Sequence, residues 1–420
     1  MEVSSVQRGE HLVKADGRFL LGGGLLSRLL APGFDRGLDR IDQGLVQGTL
    51  DTTLPDGRTR RLGGKAPGPH AAITLNNWMP LIRVLTGGSA GFARSHFDGD
   101  WTSPDPTLIF ELFMLNRHTL GDTDRGNRLM RWLNAALRGL QANTRSGSRR
   151  NIAFHYDLGN DFYAAWLDET MTYSSAVWGE GDDLAAAQRR KVRVLLDRLA
   201  LKAGDHILEI GCGWGGLAEI AAAEYGARVT GITLSHEQLA YAQARIARAG
   251  LADRVTFELR DYRDVTGQFD HVASVEMFEA VGERYWRPYM DTVKRVLKPG
   301  GRAALQVITI DEAVFDDYRV GADFIQTYIF PCGILPSEPR LRAAAEASRL
   351  RWDGAEAYGQ DYARTLKVWR ERYDAARAEG RLPAGFDARF DMIWRFYLMY
   401  CEGGFRSGGI DVIQATLTRP

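Results

Sequence analysis

The stretch His206-Ile207-Leu208-Glu209-Ile210-Gly211-Cys212-Gly213-Trp214-Gly215-Gly216 decides the fold of this chain. It predicts a short apolar strand that runs through a glycine turn into a helix. Glycines at 211, 213 and 215 leave no side chain between the backbone and a ligand, so N–H groups and a helix N-terminus can face a charged or polar group. The spacing is Gly-x-Gly-x-Gly, unlike the Gly-x-Gly-x-x-Gly of dinucleotide-binding folds. An ordinary glycine-rich loop shares this local pattern, so the surrounding segments decide between the two interpretations.

The composition is that of a globular protein and excludes several function classes. With 420 residues the chain has room for two or three domains. Its formal net charge of zero gives no general attraction to nucleic acid, and we expect no nucleic-acid partner. Cys212, Cys332 and Cys401 are odd in number and widely spaced, which argues against a disulfide framework and a metal site and fits a reducing cytoplasm. The apolar run at 19–26 is too short and glycine-rich to span a bilayer and lacks the cleavage site of a signal peptide.

The first 120 residues predict a small mixed domain. Segments 45–50 and 71–75 have the composition of strands, Pro55-Asp56-Gly57 predicts a turn between them, and 108–115 predicts an apolar helix. A basic linker follows at 121–150, with arginines at 125, 128, 131, 138, 145, 149 and 150. It is either a solvated helix face with a loop, or a surface attracted to anionic lipid headgroups by about 1 kcal/mol per basic residue.

From residue 184 onward, predicted helices and strands alternate, which favours a parallel sheet with helices on both faces. The predicted strands are 206–210, 227–234, 255–259, 269–275, 302–310 and 410–417. Ser235 followed by Gln238 has the pattern of a capping box at a helix start. Residues 311–335 break the alternation and form an aromatic-rich candidate lid, and helices are predicted for most of 338–402.

In a doubly wound sheet the ligand pocket lies at the carboxyl ends of the strands. With Glu209 just before it, the glycine turn resembles motif I of class I S-adenosylmethionine-dependent methyltransferases. The next strand offers Thr233 and Leu234, and lacks the usual acidic residue for the ribose hydroxyls, which Gln238 could replace. After the third strand, Asp261 could accept the adenine amino group, and an aromatic side chain could cover the ring. The predicted cofactor-binding residues of these strand ends are Glu209, Gly211, Cys212, Gly213, Trp214, Gly215, Thr233, Leu234, Gln238, Asp261, Tyr262 and Arg263.

Five ordered segments make the resemblance specific. They are Phe154–Tyr163, Met171–Trp178, Val275–Gly282, Tyr328–Ser337 and Tyr400–Arg406. They resemble segments of the cyclopropane-fatty-acyl-phospholipid synthases and mycolic acid cyclopropane synthases. The resemblance covers about 150–420 strongly and 1–120 weakly, through Gly91 to Trp101.

The resemblance implies a fold and a reaction. The fold is α/β: a doubly wound, seven-stranded, mostly parallel sheet with a small N-terminal α+β domain. It assigns 1–120 to a lipid-binding-like domain, 121–150 to the linker, and 151–420 to the methyltransferase domain with the lid at 311–335. It adds Tyr173 and Ser174 to the S-adenosylmethionine site. In the family, a methyl group passes to a cis double bond of an acyl chain, and bound bicarbonate removes a proton as the ring closes.

The resemblance also implies a bicarbonate site made of Ser175, Glu279, Gln306, Ile308 and Tyr362. The family's catalytic positions carry over to Glu279, Tyr362, Gln306 and Cys401, where the cysteine lines the acyl channel. Two positions depart from the pattern: Gln306 stands in place of a histidine and Ser175 in place of a cysteine. Glutamine donates a hydrogen bond but lacks the titrating imidazole. The departures leave open the product and whether bicarbonate binds.

We therefore expect an enzyme that forms cyclopropane fatty acyl groups on phospholipids, with unsaturated acyl chains and a phospholipid membrane surface as partners. The same methylation giving a methylene- or methyl-branched chain stays open. A small-molecule methyltransferase and a non-catalytic lipid-binding protein are the remaining alternatives. We expect a cytoplasmic protein, peripheral on the inner face of the membrane, and leave a homodimer open.

Overall fold

The computed structural model describes residues 8–14, 31–120, 158–321, 323–331 and 333–420. The predicted basic linker at 121–150, the start of the Phe154–Tyr163 segment and Cys332 lie outside the described residues. None of the described helices is long and apolar enough to cross a bilayer.

The described elements alternate along the second half of the chain, as the sequence predicts. The strands are β1 (Gln47–Thr53), β2 (Thr59–Gly63), β3 (Ala66–Leu75), β4 (Trp101–Thr102), β5 (His206–Ile210), β6 (Arg228–Thr233), β7 (Val255–Leu259), β8 (Phe269–Val275), β9 (Leu297–Ile310), β10 (Arg351–Ala357) and β11 (Ile410–Thr418). The helices are α1 (Glu10–Lys14), α2 (Ala31–Gly44), α3 (Met79–Phe97), α4 (Pro106–Leu115), α5 (Asn160–Ala164), α6 (Leu184–Asp197), α7 (Gly216–Tyr225), α8 (His236–Arg248), α9 (Trp286–Val296), α10 (Glu312–Tyr318), α11 (Glu338–Ala347), α12 (Gly359–Ala378) and α13 (Ala388–Arg406).

The chain divides into two compact units. The first comprises Met1–Gln141, Asp311–Pro331 and Ala384–Ile410, and the second comprises Ala142–Ile310, Cys332–Pro383 and Asp411–Pro420. This division differs from the predicted domain boundaries, because most of the candidate lid and helix α13 group with the N-terminal residues.

The second unit holds a seven-stranded sheet of order β10-β11-β9-β8-β5-β6-β7. Strands β9, β8, β5, β6 and β7 pair in parallel, and β10 pairs with β11 in antiparallel fashion. Apolar side chains of β5, α6, α7 and α8 form one core cluster against the sheet, including Leu195, Ile207 and Ala221, each fully buried. The predicted doubly wound, mostly parallel sheet is confirmed.

Local chemistry explains where the helices of this unit begin. The Ser235 hydroxyl accepts from the Gln238 N–H at 3.2 Å and caps α8, as the capping-box pattern predicts. Asp183 caps α6 in the same way through the Ala186 N–H. Strand β10 was missed, because Arg351-Trp352-Asp353-Gly354 lacks apolar alternation and only pairing with β11 makes it a strand.

The first unit is built on a four-stranded sheet of order β2-β1-β3-β4. Strand β1 pairs with β2 antiparallel and with β3 parallel. The predicted turn at Pro55-Asp56-Gly57 closes the β1–β2 hairpin, where Gly57 has a φ of +86°. The sequence predicted strands at the positions of β1 and β3 and missed β2, whose residues Arg60 and Arg61 are polar.

The candidate-lid residues 311–331 are anchored within the first unit. Phe324 and Tyr328 are buried, and the Phe324 ring packs on the Phe396 ring of α13 at 4.8 Å between centroids. The Asp323 carboxylate accepts hydrogen bonds from the Tyr400 hydroxyl at 2.8 Å and the Ser89 hydroxyl at 3.3 Å. Burial of its rings against α13 therefore accounts for the aromatic composition of this segment.

Helices α4 and α13 approach closely at Gly403. A Cβ atom at Gly403 would lie 2.7 Å from the Thr107 carbonyl oxygen and 2.8 Å from the Glu111 nitrogen. We predict that Gly403→Ala destabilises the protein by about 1–3 kcal/mol, the usual cost of overpacking a rigid backbone contact. Gly37→Ala in α2 is the matched control, because a Cβ there meets nothing within 4 Å. Urea unfolding of both variants checks this, and equal midpoints for the two would contradict the close packing.

Candidate active site

The glycine turn after β5 has the geometry that the sequence predicts. Gly211, Gly213 and Gly215 all have positive φ, at +85°, +50° and +84°. A Cβ at Gly211 would press on the Met277 side chain at 3.1 Å, and one at Gly215 on Phe257 at 3.0 Å. At Gly213 a Cβ would meet nothing within 4 Å, so this position borders open space at the carboxyl end of the sheet.

Glu209 supplies an unsatisfied acceptor beside this turn. It is 4% exposed, and its Oε2 has no hydrogen-bond partner among the described residues. Burial raises the pKa of its carboxyl to about 8, partly offset by the charges of Lys191 and Arg245. A buried acceptor without a partner is costly, and it fits a ligand that brings a donor or a positive charge, as the ribose hydroxyls and sulfonium of S-adenosylmethionine do.

The next two strand ends carry the other predicted cofactor residues. After β6, the Thr233 hydroxyl donates to Gln238 Oε1 at 3.0 Å, which places the Gln238 side chain at the start of α8. Leu234, which follows Thr233 directly, is half-buried. After β7, Asp261 is buried and accepts hydrogen bonds from the Arg263 backbone and guanidinium. Arg263 therefore holds Asp261 in place, and the assignment of both to the adenine remains a prediction.

Aromatic residues surround the turn on its other side. The Trp214 indole N–H donates to Asn160 Oδ1 at 2.7 Å, and its ring contacts Tyr163 at 5.2 Å. Tyr173 lies against Trp369 at 5.3 Å. Cys212 is buried, and burial raises the pKa of its thiol, so the thiol is neutral. Tyr262 packs on Tyr289, with the ring centroids 5.2 Å apart.

A buried polar cluster lies at the end of β8, and its centre is Glu276. Its Oε1 accepts from the Ser175 backbone N–H at 2.8 Å and from the Gln306 side-chain amide at 2.8 Å. Its Oε2 accepts from the Tyr362 hydroxyl at 2.7 Å. Ser175, Gln306 and Tyr362 thus come together, as predicted for a bicarbonate site, but they converge on a carboxylate of the protein itself.

Glu279, the predicted anion holder, lies in the same cluster. Its Oε1 accepts from the Ile308 backbone N–H, and its Oε2 has no partner among the described residues. Burial and then the negative charge of Glu276 raise the pKa of Glu279 to about 8. Glu276 also has a raised pKa through burial, but Lys191 and its hydrogen-bond donors oppose that rise. The hydrogen-bond donors and Lys191 favour the charged form of Glu276, whereas the charge of Glu276 disfavours the charged form of Glu279.

Residues that the sequence analysis missed support this cluster. Lys191 is fully buried, and its ammonium donates to the Ser174 hydroxyl at 2.6 Å. Burial lowers its pKa to about 8, against the opposing charges of Glu276, Asp168 and Glu209. The Gln414 amide donates to Gln306 Oε1 at 3.0 Å, which turns the Gln306 NH₂ toward Glu276. The sequence could have indicated that Lys191 is buried, because it lies among the apolar positions of the amphipathic helix α6.

Glu276 has an unusual backbone. Its φ is +49°, a conformation that costs a non-glycine residue about 1–3 kcal/mol unless its surroundings hold it there. Glu276 stands in the predicted motif beside Glu279, yet its role was not predicted. Only the fold shows that its carboxylate meets donors from three distant segments.

Cys401 belongs to the first unit, whereas Glu279, Tyr362 and Gln306 belong to the second. Burial, with the nearby Asp323 charge, raises the pKa of the Cys401 thiol, so it is neutral. Its assignment to an acyl channel remains a prediction. Phe162, Tyr163 and Phe278 are buried core residues, and the guanidinium of Arg364 covers the ring of Trp178 at 3.9 Å.

The doubly wound sheet, the open glycine turn and the unsatisfied Glu209 together define a class I S-adenosylmethionine-dependent methyltransferase. A family model described as mycolic acid cyclopropane synthetase matches residues 143–415. The chain belongs to this family.

Relatives cover most of the chain. It is 42% identical to the tuberculostearic acid methyltransferase UfaA1 of Mycobacterium tuberculosis, over 80% of each chain. It is 37% identical to the cyclopropane-fatty-acyl-phospholipid synthase of Escherichia coli K12, over 85% of this chain and 90% of that one. Among solved structures it is similar to mycolic acid cyclopropane synthase CmaA1 complexed with SAH and CTAB, with a TM-score of 0.60, 29% identity, and coverage of 64% of this chain and 98% of that one.

We predict that Gly213→Val weakens S-adenosylmethionine binding at least about tenfold, equivalent to about 1.4 kcal/mol, because the side chain would enter the space beside the turn. Gly267→Val is the matched control: Gly267 also has a positive φ of +87° and open space, but it precedes the amino end of β8. Calorimetric titration of both folded variants measures the difference. Equal affinities would place the cofactor elsewhere.

We predict that Glu279→Gln stabilises the protein increasingly as pH rises from 4.5 to 8. The folded-state pKa of about 8 lies above the ordinary 4.5, so the native carboxyl binds its proton more tightly, and its contribution to stability is lost as pH rises toward 8. The variant should gain at most about 1.4 kcal/mol per pH unit relative to wild type. Urea unfolding at several pH values measures this gain, with the exposed Glu180→Gln as control. A pH-independent difference would mean that Glu279 is ionised in the native state.

Proposed function

We propose that this protein transfers a methyl group from S-adenosylmethionine to the cis double bond of an unsaturated acyl chain on a phospholipid, forming a cyclopropane fatty acyl group. The observation that supports it best is the pair of carboxyls beside the glycine turn, the half-buried Glu276 and the buried Glu279. Methylation of an alkene leaves a carbocation that must lose a proton away from free water. Methylation of an amine or a hydroxyl does not need such a sealed pair.

The residues at three strand ends fit the cofactor. The turn at Gly211 to Gly215 leaves room for it, Glu209 offers an acceptor, and Gln238 and Asp261 lie at the next two strand ends. When bound, S-adenosylmethionine supplies an electrophilic methyl group on a sulfonium. The protein's contribution is to hold this methyl against the double bond and to exclude water.

The proton acceptor must lie near the cofactor turn, and Glu276 meets this condition. Met277, the next residue, is the side chain that a Cβ at Gly211 would touch at 3.1 Å. The cluster around Glu276 and the turn after β5 are therefore neighbours at one edge of the sheet. Tyr362 and Gln306 orient the carboxylate, and Lys191 balances its charge.

A second product is supported by one observation. The donors that the family resemblance assigns to bicarbonate are already engaged by Glu276. A carboxylate fixed to the backbone takes whichever proton the acyl chain presents to it. Removal of a proton from the new methyl, with closure onto the neighbouring cationic carbon, gives the cyclopropane. If a hydride first shifts from the methylated carbon to that cationic carbon, removal of a proton from the methyl gives a methylene-branched acyl group. The name of the 42% identical relative, a tuberculostearic acid methyltransferase, is compatible with this second product.

The phospholipid carrier is proposed from sequence and relatives. A relative 37% identical over 85% of the chain is named a cyclopropane-fatty-acyl-phospholipid synthase. The arginine-rich stretch at 121–150 would attract the enzyme to anionic headgroups at a membrane surface on the cytoplasmic side.

We predict that the purified protein adds one CH₂ unit to monounsaturated chains of phospholipid vesicles, and less to free fatty acid. Mass spectrometry of the lipids detects the addition, and Gly213→Val should abolish it. Hydrogenation under conditions that spare cyclopropane rings then separates the products, because a methylene group takes up hydrogen. Methylation of small amines but of no lipid would favour a small-molecule methyltransferase. Lipid binding without any transfer would favour a non-catalytic protein.

A further inference from the structure

Hydrogen-bond donors from three distant parts of the second unit converge on the Glu276 carboxylate. The Ser175 N–H, the Gln306 amide and the Tyr362 hydroxyl lie 2.7–2.8 Å from its two oxygens. Three donors on one carboxylate favour its charged form. The anion in this site is covalently part of the chain.

Gln306 presents a hydrogen-bond donor, and not an acceptor, to Glu276. Its Oε1 accepts from Gln414 Nε2 at 3.0 Å, so only its NH₂ faces Glu276. An amide does not titrate, so this donor cannot take the reaction proton. Lys191, whose charge also acts on Glu276, is engaged with the Ser174 hydroxyl at 2.6 Å.

The backbone of Glu276 is strained to place its side chain there, with a φ of +49°. Such a conformation persists only where the surroundings hold the residue in place. Glu276 is only half-buried, so part of its surface stays reachable. The neighbouring Met277 lies against the glycine turn, so the backbone of Glu276 is close to that turn.

We propose that Glu276 is the catalytic proton acceptor and occupies the place of a bicarbonate ion, so that methylation proceeds without bicarbonate. This inference rests on the proposed function. The π electrons of the double bond form the new C–CH₃ bond while the sulfonium C–S bond breaks, its electron pair staying on sulfur. Glu276 then takes a proton from the new methyl. The C–H electron pair closes the ring onto the cationic carbon or, after a hydride shift has moved the cation to the methylated carbon, forms the methylene double bond. The sulfonium charge and the carboxylate charge are both neutralised, and the Glu276 acid later returns its proton to solvent.

The test is chemical rescue of Glu276→Gly. Glycine accepts a φ of +49° without strain and leaves a carboxylate-sized gap among the three donors. In carbonate-depleted buffer, wild type should keep its rate within about twofold when bicarbonate is restored, whereas the variant should lose about 10²-fold or more in kcat. Bicarbonate or formate should restore the variant at least about tenfold in the same assay, while chloride, which is not a base, should not.

Two control variants distinguish the effects of backbone strain, of the gap left by the missing side chain and of the lost carboxylate charge. Arg349→Gly relieves the same kind of positive-φ strain, at +57°, away from the cluster, and should leave the rate unchanged. Glu276→Gln fills the gap with a neutral group, so it should lose activity and resist rescue. Calorimetric affinity for S-adenosylmethionine should stay within about threefold in each variant, which shows an intact cofactor site.

The outcomes distinguish this inference from the proposed function. Wild-type activity that requires bicarbonate, or a Glu276→Gln variant with more than about a tenth of wild-type kcat, would overturn the role of Glu276 while the lipid reaction stands. Absence of lipid methylation by wild type, with or without bicarbonate, would instead overturn the proposed function. If Glu276→Gly does not fold, Glu276→Gln and the wild-type bicarbonate response still decide the matter.

Discussion

A carboxylate taken out of water costs several kcal/mol unless donors and a counter-charge replace the water. The arrangement at the carboxyl end of β8 is organised by this constraint. Glu276 receives donors from Ser175, Gln306 and Tyr362, and Lys191 supplies the opposite charge from the buried face of α6. Each of these residues comes from a different part of the chain, so the fold of the second unit must be complete before the charge can be accommodated.

The same constraint gives the two carboxyls, Glu276 and Glu279, different preferences for a proton. Once Glu276 is ionised, its negative charge and the surrounding burial favour a proton on Glu279. One group is then a base and the other a neutral acid, although both are glutamates three positions apart. Glu209 differs from both, because one of its carboxyl oxygens has no hydrogen-bond partner among the described residues. Glu209 lies beside the open turn at Gly213, where a ligand can supply the missing hydrogen-bond donor.

The residues that the resemblance assigns to a bicarbonate site lie around Glu276 and Glu279, and their role stays a prediction. The resemblance named Ser175, Gln306, Ile308, Tyr362 and Glu279 as one anion site, and the structure brings all five together. Two of them depart from the family pattern, and the departures make sense around Glu276. The Gln306 amide, turned by Gln414, donates to Glu276 without itself titrating.

The sequence by itself determined the alternation of strands and helices from 184 onward, the glycine turn and the Ser235 cap, because periodicity, positive φ and capping are local properties. It also indicated the family, because ordered motifs are visible without coordinates. Only the tertiary structure decided that 311–331 and α13 belong with the N-terminal unit, where aromatic rings such as Phe324 and Phe396 find their contacts. It alone decided that Glu276, Lys191 and Gln414 form the polar cluster. The physical reason is that hydrogen bonding and desolvation act between residues far apart in the chain, and no local pattern records which of them will meet.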